Sequence, residues 1–575
     1  MKRYWKYIRP YIQYYILGPC FMMMEVVGDV LLPYMLAKII NQGIAERNVV
    51  YIIKIGAIMG LIAVIMAVGG VLGAWFASKA SMNFGADLRM DLFEKIQQFS
   101  FQNIDNFSTG SLITRLTNDI TQIQNMIMMT LRMCLRSPGI LIGAMVMAFV
   151  ISPKLAAIFI IVLPVLAVLI VVIMRRAFPQ FRTLQEKLDA LNSCIQEGLV
   201  GIRLIKSFVR GDYEEMRFEK RNQQLKEANL TAMKTMLLYT PLMTLALNIT
   251  TVVVVWSGGN MIVAGNMQVG DLTAFTNYIV QIMSSLTMLS IAFLNWARAI
   301  ASFHRVGEVL DEKIDLTDEN AKHKDRAVCE GSVEFQNVSF RYYKNSPEWV
   351  IENISFKLEA GKTLGIIGST GSGKSTLVSM IPRLYDTDEG TVLVDGINVR
   401  DYGLKPLREG IGMVLQNNTL FSGSITENLK WGDEHADEKA VRKAAQNAQA
   451  AGFIDSFKDG YRTRLEQSGN NVSGGQKQRL CIARALLKCP KILILDDSTS
   501  AVDTATERAI REALHSEYKD MTKIIIAQRI RSVMDADEIL VLDNGKTAGF
   551  GTHEQLLADC PVYREIYDVQ NGREE

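Results

Sequence analysis

The chain has 575 residues, of which 49% are hydrophobic and 21% are charged. That length exceeds a single domain, and that apolar content is too high for an ordinary soluble enzyme. The 62 basic and 60 acidic residues leave a formal net charge of only +2. The charge balance therefore gives no reason to expect a nucleic acid as a partner.

Apolar stretches in the first half of the chain approach or exceed the roughly 20 residues that a helix needs to cross a bilayer. There are six of them, approximately at 15–40, 51–78, 137–151, 155–174, 236–262 and 272–300. The short connections between them are almost free of Lys and Arg, whereas the two long connections, 79–136 and 175–234, are rich in both. The positive-inside rule then places the long loops and both termini in the cytoplasm. We expect a multi-pass protein of the cell membrane.

The second half of the chain has a different pattern. From residue 331 onward, short β-rich runs such as VEFQNVSF, KTLGIIG, GTVLVDG, KILILD and KIIIAQ alternate with helical segments. That alternation predicts a mostly parallel sheet covered by helices. The sequence therefore predicts an all-α, six-helix transmembrane domain over residues 1–310, a linker over 311–330 and an α/β P-loop domain over 331–575.

A glycine-rich loop follows the predicted strand that ends at Ile367. Residues 368–376 read GSTGSGKST and fit the spacing GxxxxGK[ST] between a strand and a helix. Glycines let backbone N–H groups curl around phosphates, Lys374 would reach the β- and γ-phosphates, and Ser375 would bind Mg²⁺. Asp496, which ends a later strand, would hold Mg²⁺ through water. We predict ATP and Mg²⁺ as cofactors, with nucleotide contacts from Gly368, Ser369, Thr370, Gly371, Ser372, Gly373, Lys374, Ser375 and Thr376.

Residues 331–575 resemble the nucleotide-binding domain of ABC transporters. The loop at 368–376 matches the family's Walker A motif, 492–496 its Walker B motif, and 500–503 its D-loop. The resemblance implies that Gln416 is the Q-loop residue that senses Mg²⁺. It also implies that the signature motif caps the γ-phosphate of an ATP bound by the opposite subunit, through Ser473, Gly474, Gly475 and Gln476.

The same resemblance assigns the aromatic side chain that stacks on adenine to Tyr342. The neighbouring Tyr343 is an alternative for facing the base, and a structural role of Tyr342 in the first strand is another. The membrane half resembles the exporter branch of the family, in its six spans and in residues 107–119 and 197–208 of the long loops. By that resemblance each long loop carries a short coupling helix, and the second one reaches the partner's nucleotide domain.

Two positions depart from the family pattern. Asp497 stands where the family has a glutamate that polarises the attacking water, and Gln528 stands where it has a histidine that contacts the γ-phosphate. Asp497 is one methylene too short, and a misplacement of about 1 Å can cost about 10²-fold in rate. Gln528 can donate a hydrogen bond but cannot become a cation. We expect this site to bind ATP, because Lys374, Ser375 and Asp496 are intact, and to hydrolyse it slowly.

Natural chains of this kind resemble the degenerate-site half of heterodimeric bacterial multidrug exporters. The resemblance implies a second, homologous ABC half-transporter as partner, with the catalytic glutamate and the switch histidine intact. A slow homodimer is an alternative. So are a dedicated exporter of a lipid, peptide or siderophore, and a regulatory ATPase that transports nothing.

Two acidic residues lie within the first predicted span. Glu25 and Asp29 are four positions apart, on one face of a helix, and a charge at that depth should face the bundle or an aqueous cavity. They would attract a cationic substrate or carry a proton; alternatively, they pair with polar groups such as Asn248 or Asn295, or lie in water near the outer leaflet. The last span adds polar residues beside methionines and aromatics, which suit a small amphiphilic substrate and suit helix packing equally. The candidate substrate-cavity residues are Glu25, Asp29, Asn277 and Gln281.

Overall fold

The computed structural model describes residues 2–344 and 346–571, with side chains for all of these except residues 2, 290, 291, 293–295, 297 and 298. The chain divides into two compact units. The first comprises Met1–Gln97 and Gly110–Asp311, and the second comprises Gln98–Thr109 and Glu312–Glu575. The short segment Gln98–Thr109, which we call the first-loop segment, therefore packs with the second unit although both of its ends continue into helices of the first.

The first unit consists of helices joined by short turns. Their bounds are Trp5–Ile8, Ile12–Lys38, Val49–Gln97, Thr109–Thr114, Ile120–Met133, Arg136–Ile151, Pro153–Val200, Ile202–Ser207, Gly211–Leu237, Tyr239–Val263 and Val269–Asp311.

Within the described residues, five helical stretches are long and apolar enough to cross a membrane. They are Trp5–Ile44, Val49–Gln97, Thr109–Ile151, Pro153–Val200 and Gly211–Val263. The sixth predicted span lies in the helix Val269–Asp311, several of whose side chains are outside the described set.

Glycines allow the first two long helices to approach closely. A Cβ atom on Gly73 would lie 3.1 Å from the carbonyl oxygen of Gly18, and one on Gly69 would lie 3.1 Å from the carbonyl oxygen of Phe21. Small residues at such contacts are typical of helices that pack in a membrane, where van der Waals contact between backbones replaces the hydrophobic effect. Large apolar side chains such as Val50 and Val71 stay exposed on the outside of the unit, as a lipid-facing surface requires.

The second unit contains two main sheets. The strands are β1 Val333–Phe340, β2 Ile351–Leu358, β3 Thr363–Gly368, β4 Glu389–Val394, β5 Ile397–Asn398, β6 Ile411–Val414, β7 Gly423–Ser424, β8 Arg464–Leu465, β9 Ile492–Asp496, β10 Thr522–Ile526, β11 Glu538–Asp543 and β12 Lys546–Gly551. Six of them form a sheet in the order β12-β11-β3-β10-β9-β6, and four form a sheet in the order β2-β1-β4-β5. The larger sheet is parallel except for the β11–β12 pair, whereas the smaller one is antiparallel.

Helices cover the larger sheet. Those of the described second unit with six or more residues are Lys374–Ser379, Leu404–Glu409, Glu438–Asn447, Ala451–Ser456, Gly474–Leu487, Thr504–Glu517, His553–Asp559 and Pro561–Asn571. The predicted fold class, helical membrane domain followed by an α/β domain, is confirmed. The antiparallel sheet was not predicted, and it contains two of the predicted strand runs, VEFQNVSF and GTVLVDG, as β1 and β4.

Strand order brings the sequence motifs together. Strand β10 pairs in parallel with both β3 and β9, so the carboxyl ends of all three lie at one edge of the sheet. The phosphate loop follows β3, Asp496 ends β9, and Gln528 comes two residues after β10. In open α/β sheets, ligands bind at this edge.

Candidate functional site

The phosphate loop turns sharply between β3 and the helix Lys374–Ser379. Gly371 and Gly373 have φ of 84° and 87°, in the left-handed region that favours glycine. A Cβ atom on Gly373 would lie 2.6 Å from Cγ2 of Ile351 and 2.9 Å from the carbonyl oxygen of Val350. Only glycine fits there, and glycine-rich turns of this kind can present backbone N–H groups to a phosphate.

Lys374 folds over this loop. Its Nζ donates hydrogen bonds to the carbonyl oxygens of Gly368 and Ser369, over 2.9 and 2.6 Å. Burial lowers the pKa of Lys374, while the nearby carboxylates of Asp497 and Asp496 raise it. Phosphate oxygens would exchange with the two carbonyl oxygens as partners of this ammonium group, so the residue is placed for the predicted contact.

A magnesium ion fits the pair formed by Ser375 and Asp496. Ser375 Oγ donates a hydrogen bond of 2.9 Å to Oδ1 of Asp496, whose side chain is buried. Burial is the main cause of the raised pKa of Asp496, and the hydroxyl of Ser375 opposes it. One hydroxyl and one carboxylate suit Mg²⁺, which keeps several waters and takes its other ligands from phosphate. Among the described residues, no cluster of three or more His, Cys, Asp or Glu side chains offers an all-protein metal site.

The two unusual residues, Asp497 and Gln528, contact each other. Gln528 Nε2 donates a hydrogen bond of 2.8 Å to Oδ2 of Asp497. Burial raises the pKa of Asp497, whereas the hydrogen bond from Gln528, the charge of Lys374 and a hydrogen bond from Gln416 lower it. Asp497 also has a φ of 46°, a conformation rare for residues other than glycine. The structure thus brings Gln416, Asp497 and Gln528 together beside the phosphate loop.

Tyr342 lies next to the helix that follows the phosphate loop. Its hydroxyl is 2.8 Å from Oγ1 of Thr376, and its ring makes edge contacts with the rings of Phe340 and Tyr385. Tyr343 instead is 75% exposed, against 36% for Tyr342. Of the two tyrosines, Tyr342 has the position fixed by neighbours, which favours it as the base-stacking residue.

The signature residues cap a separate helix. Ser473 Oγ accepts from the backbone N–H of Gln476, and Gln476 Oε1 accepts from the N–H of Ser473, so the two form a capping box on the helix Gly474–Leu487. In the described part of the chain, no hydrogen bond joins these residues to the chain's own phosphate loop. Ser473 and Gly474 are exposed, as an ATP held by another subunit would require.

A buried glutamine that sequence reasoning missed links the signature helix to Asp497. The N–H of Ala501 donates to Oε1 of Gln478 over 3.0 Å, and Gln478 Nε2 donates to Oγ of Ser500 over 3.3 Å. Ser500 Oγ in turn donates to the carbonyl oxygen of Asp497 over 3.0 Å. The D-loop is therefore held between the signature helix and the hydrolytic position.

The candidate substrate residues occupy the first unit. Arg136 Nη2 lies 2.8 Å from Oε1 of Glu25 and 3.4 Å from Oδ2 of Asp29, so one guanidinium bridges both acids. Gln281 Nε2 donates to the carbonyl oxygen of Asp29 over 2.7 Å, which brings the last helix to the same place. Asn277 instead donates to the carbonyl oxygen of Thr273 in its own helix.

Arg136 was not among the expected partners of the two acids. Sequence reasoning named Asn248 and Asn295, and the side chain of Asn295 lies outside the described residues. The signal that could have found Arg136 is its own position at the start of an apolar stretch, where an unpaired cation would be costly.

Comparison with known proteins agrees with this geometry. The family model for the ABC transporter transmembrane region matches residues 15–286, and the model for the ABC transporter ATP-binding domain, described as "ABC transporter", matches residues 351–500. "Uncharacterized ABC transporter ATP-binding protein YfiB" of Bacillus subtilis (strain 168) is 39% identical over 100% of this chain and 99% of its own length.

Two further matches are a second relative over the whole chain and a solved structure. "Putative multidrug export ATP-binding/permease protein YgaD" of Bacillus subtilis (strain 168) is 33% identical over 99% of both chains. A solved bacterial Atm1-family ABC exporter with ATP bound superposes with a TM-score of 0.81 at 24% identity, covering 98% of each chain, and shows the same fold. The chain belongs to the ABC transporter family, as a half-transporter in which a transmembrane region is fused to an ATP-binding domain.

Proposed function

We propose that this chain is the weakly hydrolysing half of a heterodimeric bacterial exporter of amphiphilic compounds. Membership of the family implies an ATPase coupled to transport across a membrane. The finer proposal is that this chain's own Walker motifs hold ATP and Mg²⁺ and that its signature motif completes a faster site on a different, homologous chain. The long loops and both termini lie in the cytoplasm, in accord with the distribution of Lys and Arg.

The contact between Gln528 and Asp497 is the observation that carries this proposal. A general base needs a lone pair directed at the attacking water, at a distance of about 2.6–3.2 Å. One oxygen of the shortened Asp497 carboxylate already accepts from the Gln528 amide over 2.8 Å. One of the two N–H groups of that amide then serves the carboxylate and not a γ-phosphate. Binding and slow hydrolysis follow, because Lys374 and the Ser375–Asp496 pair remain available for the nucleotide.

Exposed apolar residues support assembly with a second chain. The short helix Ile202–Ser207 in the second long loop is flanked by Val200, Phe208 and Val209, which are 82%, 70% and 88% exposed. An apolar cluster of that kind on a cytoplasmic loop indicates an interaction surface. We call the helix Ile202–Ser207 together with Val200, Phe208 and Val209 the second-loop tip.

The second unit has a cavity that suits the apolar second-loop tip. Phe421 and Trp431 stack at 4.2 Å between ring centroids, are 44% and 65% exposed, and line a cavity of about 290 Å³ together with residues next to Gln416. The proposed occupant of this cavity is the second-loop tip of the partner chain. Since the cavity adjoins the Q-loop, such docking would transmit nucleotide occupancy to the partner's membrane helices.

The charges in the membrane unit support an amphiphilic, cationic substrate. Glu25, Asp29 and Arg136 leave one negative charge in excess among apolar helices, and a charge in that environment costs several kcal/mol or more. A cationic amphiphile would neutralise it. The name of YgaD, a relative of similar length, agrees with a multidrug role.

Purification from the native membrane tests the proposal. A tagged copy of this chain should co-purify with a second ABC half-transporter in equal amount, one that carries Glu and His at the positions of Asp497 and Gln528. Reconstituted in vesicles, the pair should export a cationic dye and leave a labelled lipid in place. Recovery of only tagged and untagged copies of the same chain, with full ATPase activity, would contradict the heterodimer. Movement of the lipid alone would favour the dedicated exporter, and no movement of any solute would favour a regulatory ATPase.

A further inference from the structure

The C-terminal helix Pro561–Asn571 reaches the segment that follows β10. The N–H of Ile530 donates to Oε1 of Gln570 over 2.8 Å, and Gln570 Nε2 donates to the carbonyl oxygen of Gln528 over 2.8 Å. A single side-chain amide therefore binds the two backbone groups on either side of Arg529. This arrangement resembles the exchange of hydrogen bonds between paired strands, with a side chain in place of the second strand.

Apolar packing fixes the helix that carries Gln570. Tyr563 is fully buried in a cluster that includes Ala527, Ile530 and Val533 from the same segment after β10. The hydroxyl of Tyr563 is also 2.7 Å from Nδ1 of His553 on the preceding helix. Because the helix is anchored on both sides, the amide of Gln570 has a defined position relative to the backbone that it binds.

We propose that Gln570 is a positioning residue for the hydrolytic site. It holds the backbone at Gln528, and this backbone position places the side-chain amide of Gln528 at 2.8 Å from Asp497. Gln570 itself touches neither the nucleotide loop nor Asp497 in the described contacts, so it acts through Gln528. The inference goes beyond the proposed function, since it holds whether the partner is a different chain or a second copy of this one.

The slow hydrolysis that remains at this site depends on where Gln528 holds the Asp497 carboxylate, so the expected effect follows from the cost of misplacing that group. A shift of about 1 Å can reduce a rate by about 10²-fold, and loss of two backbone contacts would allow a smaller shift. The nucleotide is bound by the phosphate loop, which Gln570 does not contact. Substitution of Gln570 should therefore lower the rate of hydrolysis and leave the affinity for ATP unchanged.

The experiment uses the full-length chain with the partner that it carries in its native membrane. In Gln570→Ala, single-turnover hydrolysis of ATP at this chain's site should fall about tenfold, within the cost of a 1 Å shift, with the affinity for ATP unchanged. Hydrogen exchange of the Ile530 amide should become about fivefold faster, as loss of one net hydrogen bond predicts. Unchanged hydrolysis, whether or not the exchange of Ile530 changes, would overturn the proposal.

Two further variants separate positioning from folding. Gln570→Glu has nearly the same shape and still accepts from the N–H of Ile530, but it sets a carboxylate oxygen against the carbonyl oxygen of Gln528. Exchange at Ile530 should then stay slow while hydrolysis still falls. Gln555→Ala is the matched control, because Gln555 caps the neighbouring helix through Thr552 and does not touch the segment after β10. If Gln555→Ala reduces hydrolysis as much as Gln570→Ala, the role of Gln570 is only structural.

Discussion

Gln528 Nε2 and Asp497 Oδ2 are joined by a hydrogen bond of 2.8 Å at the edge of the parallel sheet. By the family resemblance in the sequence, each residue is predicted to be the shorter or uncharged counterpart of a side chain that the ABC family uses for hydrolysis. The amide occupies a carboxylate oxygen and cannot offer it a positive charge. This one contact links the two departures from the family pattern into a single feature of the site.

Restoring the family residues should therefore raise hydrolysis at this chain's site. Asp497→Glu adds the missing methylene, and Gln528→His supplies a group that can carry a proton. A positioned acid–base group typically contributes about 10²–10⁴-fold to a rate. We therefore expect the increase in hydrolysis rate of the double variant to exceed the sum of the increases in the two single variants. In the proposed heterodimer, the partner's catalytic glutamate is replaced by glutamine. Phosphate release then comes from this chain's site alone. An unchanged rate in the double variant would show that Asp497 and Gln528 do not limit hydrolysis.

Replacing Gly475 by alanine should destabilise the nucleotide domain, whereas the same change at Gly474 should not. A Cβ on Gly475 would lie 2.7 Å from the carbonyl oxygen of Ala501, but one on Gly474 would lie 3.7 Å from Cβ of the same alanine. Overpacking of this kind costs about 1–3 kcal/mol. Thermal unfolding of the purified variants measures the difference. Because Gly474→Ala fits within this chain, any loss of transport in that variant reports on the ATP site that we propose the signature motif completes on the partner.

Tyr385 should couple nucleotide binding to the first-loop segment. Its ring contacts that of Tyr342 at 5.3 Å, and its hydroxyl donates to Oδ2 of Asp105 over 3.0 Å. Burial raises the pKa of Tyr385, so the hydroxyl stays a donor at physiological pH. Tyr385→Phe removes this bond, worth about 0.5–1.5 kcal/mol at an exposed position, and should lower transport per ATP hydrolysed while ATP affinity stays the same.

The exposed Tyr343 provides the control for that measurement. Tyr343→Phe removes a hydroxyl from the residue next to Tyr342 without affecting the contact between Tyr385 and Asp105. Transport and ATP consumption are followed together in vesicles for both variants. Equal coupling ratios in Tyr385→Phe and in the parent would remove Tyr385 from the path between the nucleotide and the membrane helices.

Neutralising Asp29 should change the charge preference of transport. Asp29→Asn leaves the closer pair of Arg136 and Glu25 in place, at 2.8 Å, and removes the excess negative charge. Export of a cationic dye should fall relative to a neutral dye of similar size. Arg136→Met is expected to lower the yield of folded protein, since it leaves two acids unpaired at a cost of about 3–5 kcal/mol, and Glu25→Gln should partly restore it. A parallel loss of both dyes in Asp29→Asn would argue against charge selection.

The phosphate loop and the membrane-spanning helices were predictable because their signals are local. Residues 368–376 carry glycines, a lysine and a hydroxyl within one turn, and long apolar runs indicate spans without any knowledge of their neighbours. The same holds for the placement of Asp496 at a strand end.

Contacts between distant residues could not be predicted in the same way. Arg136 meets Glu25 across 111 positions, Tyr385 meets Asp105 across 280, and Gln570 meets Gln528 across 42. Each of these contacts depends on how separate elements pack. A single sequence does not specify such a contact when its two residues lack a periodic pattern or a motif. The antiparallel sheet was missed for a related reason: alternation in β1 and β4 predicts strands but not their partners.

The second-loop tip has a consequence for the fate of newly made chains. In the proposed heterodimer, a copy without its partner keeps Val200, Phe208 and Val209 in contact with water, and exposed apolar surfaces of this kind favour aggregation and proteolysis. The steady-state amount of this subunit in a cell should then follow the amount of its partner. Unpaired copies would be degraded, and the two subunits would stay in equal amounts without a dedicated regulator.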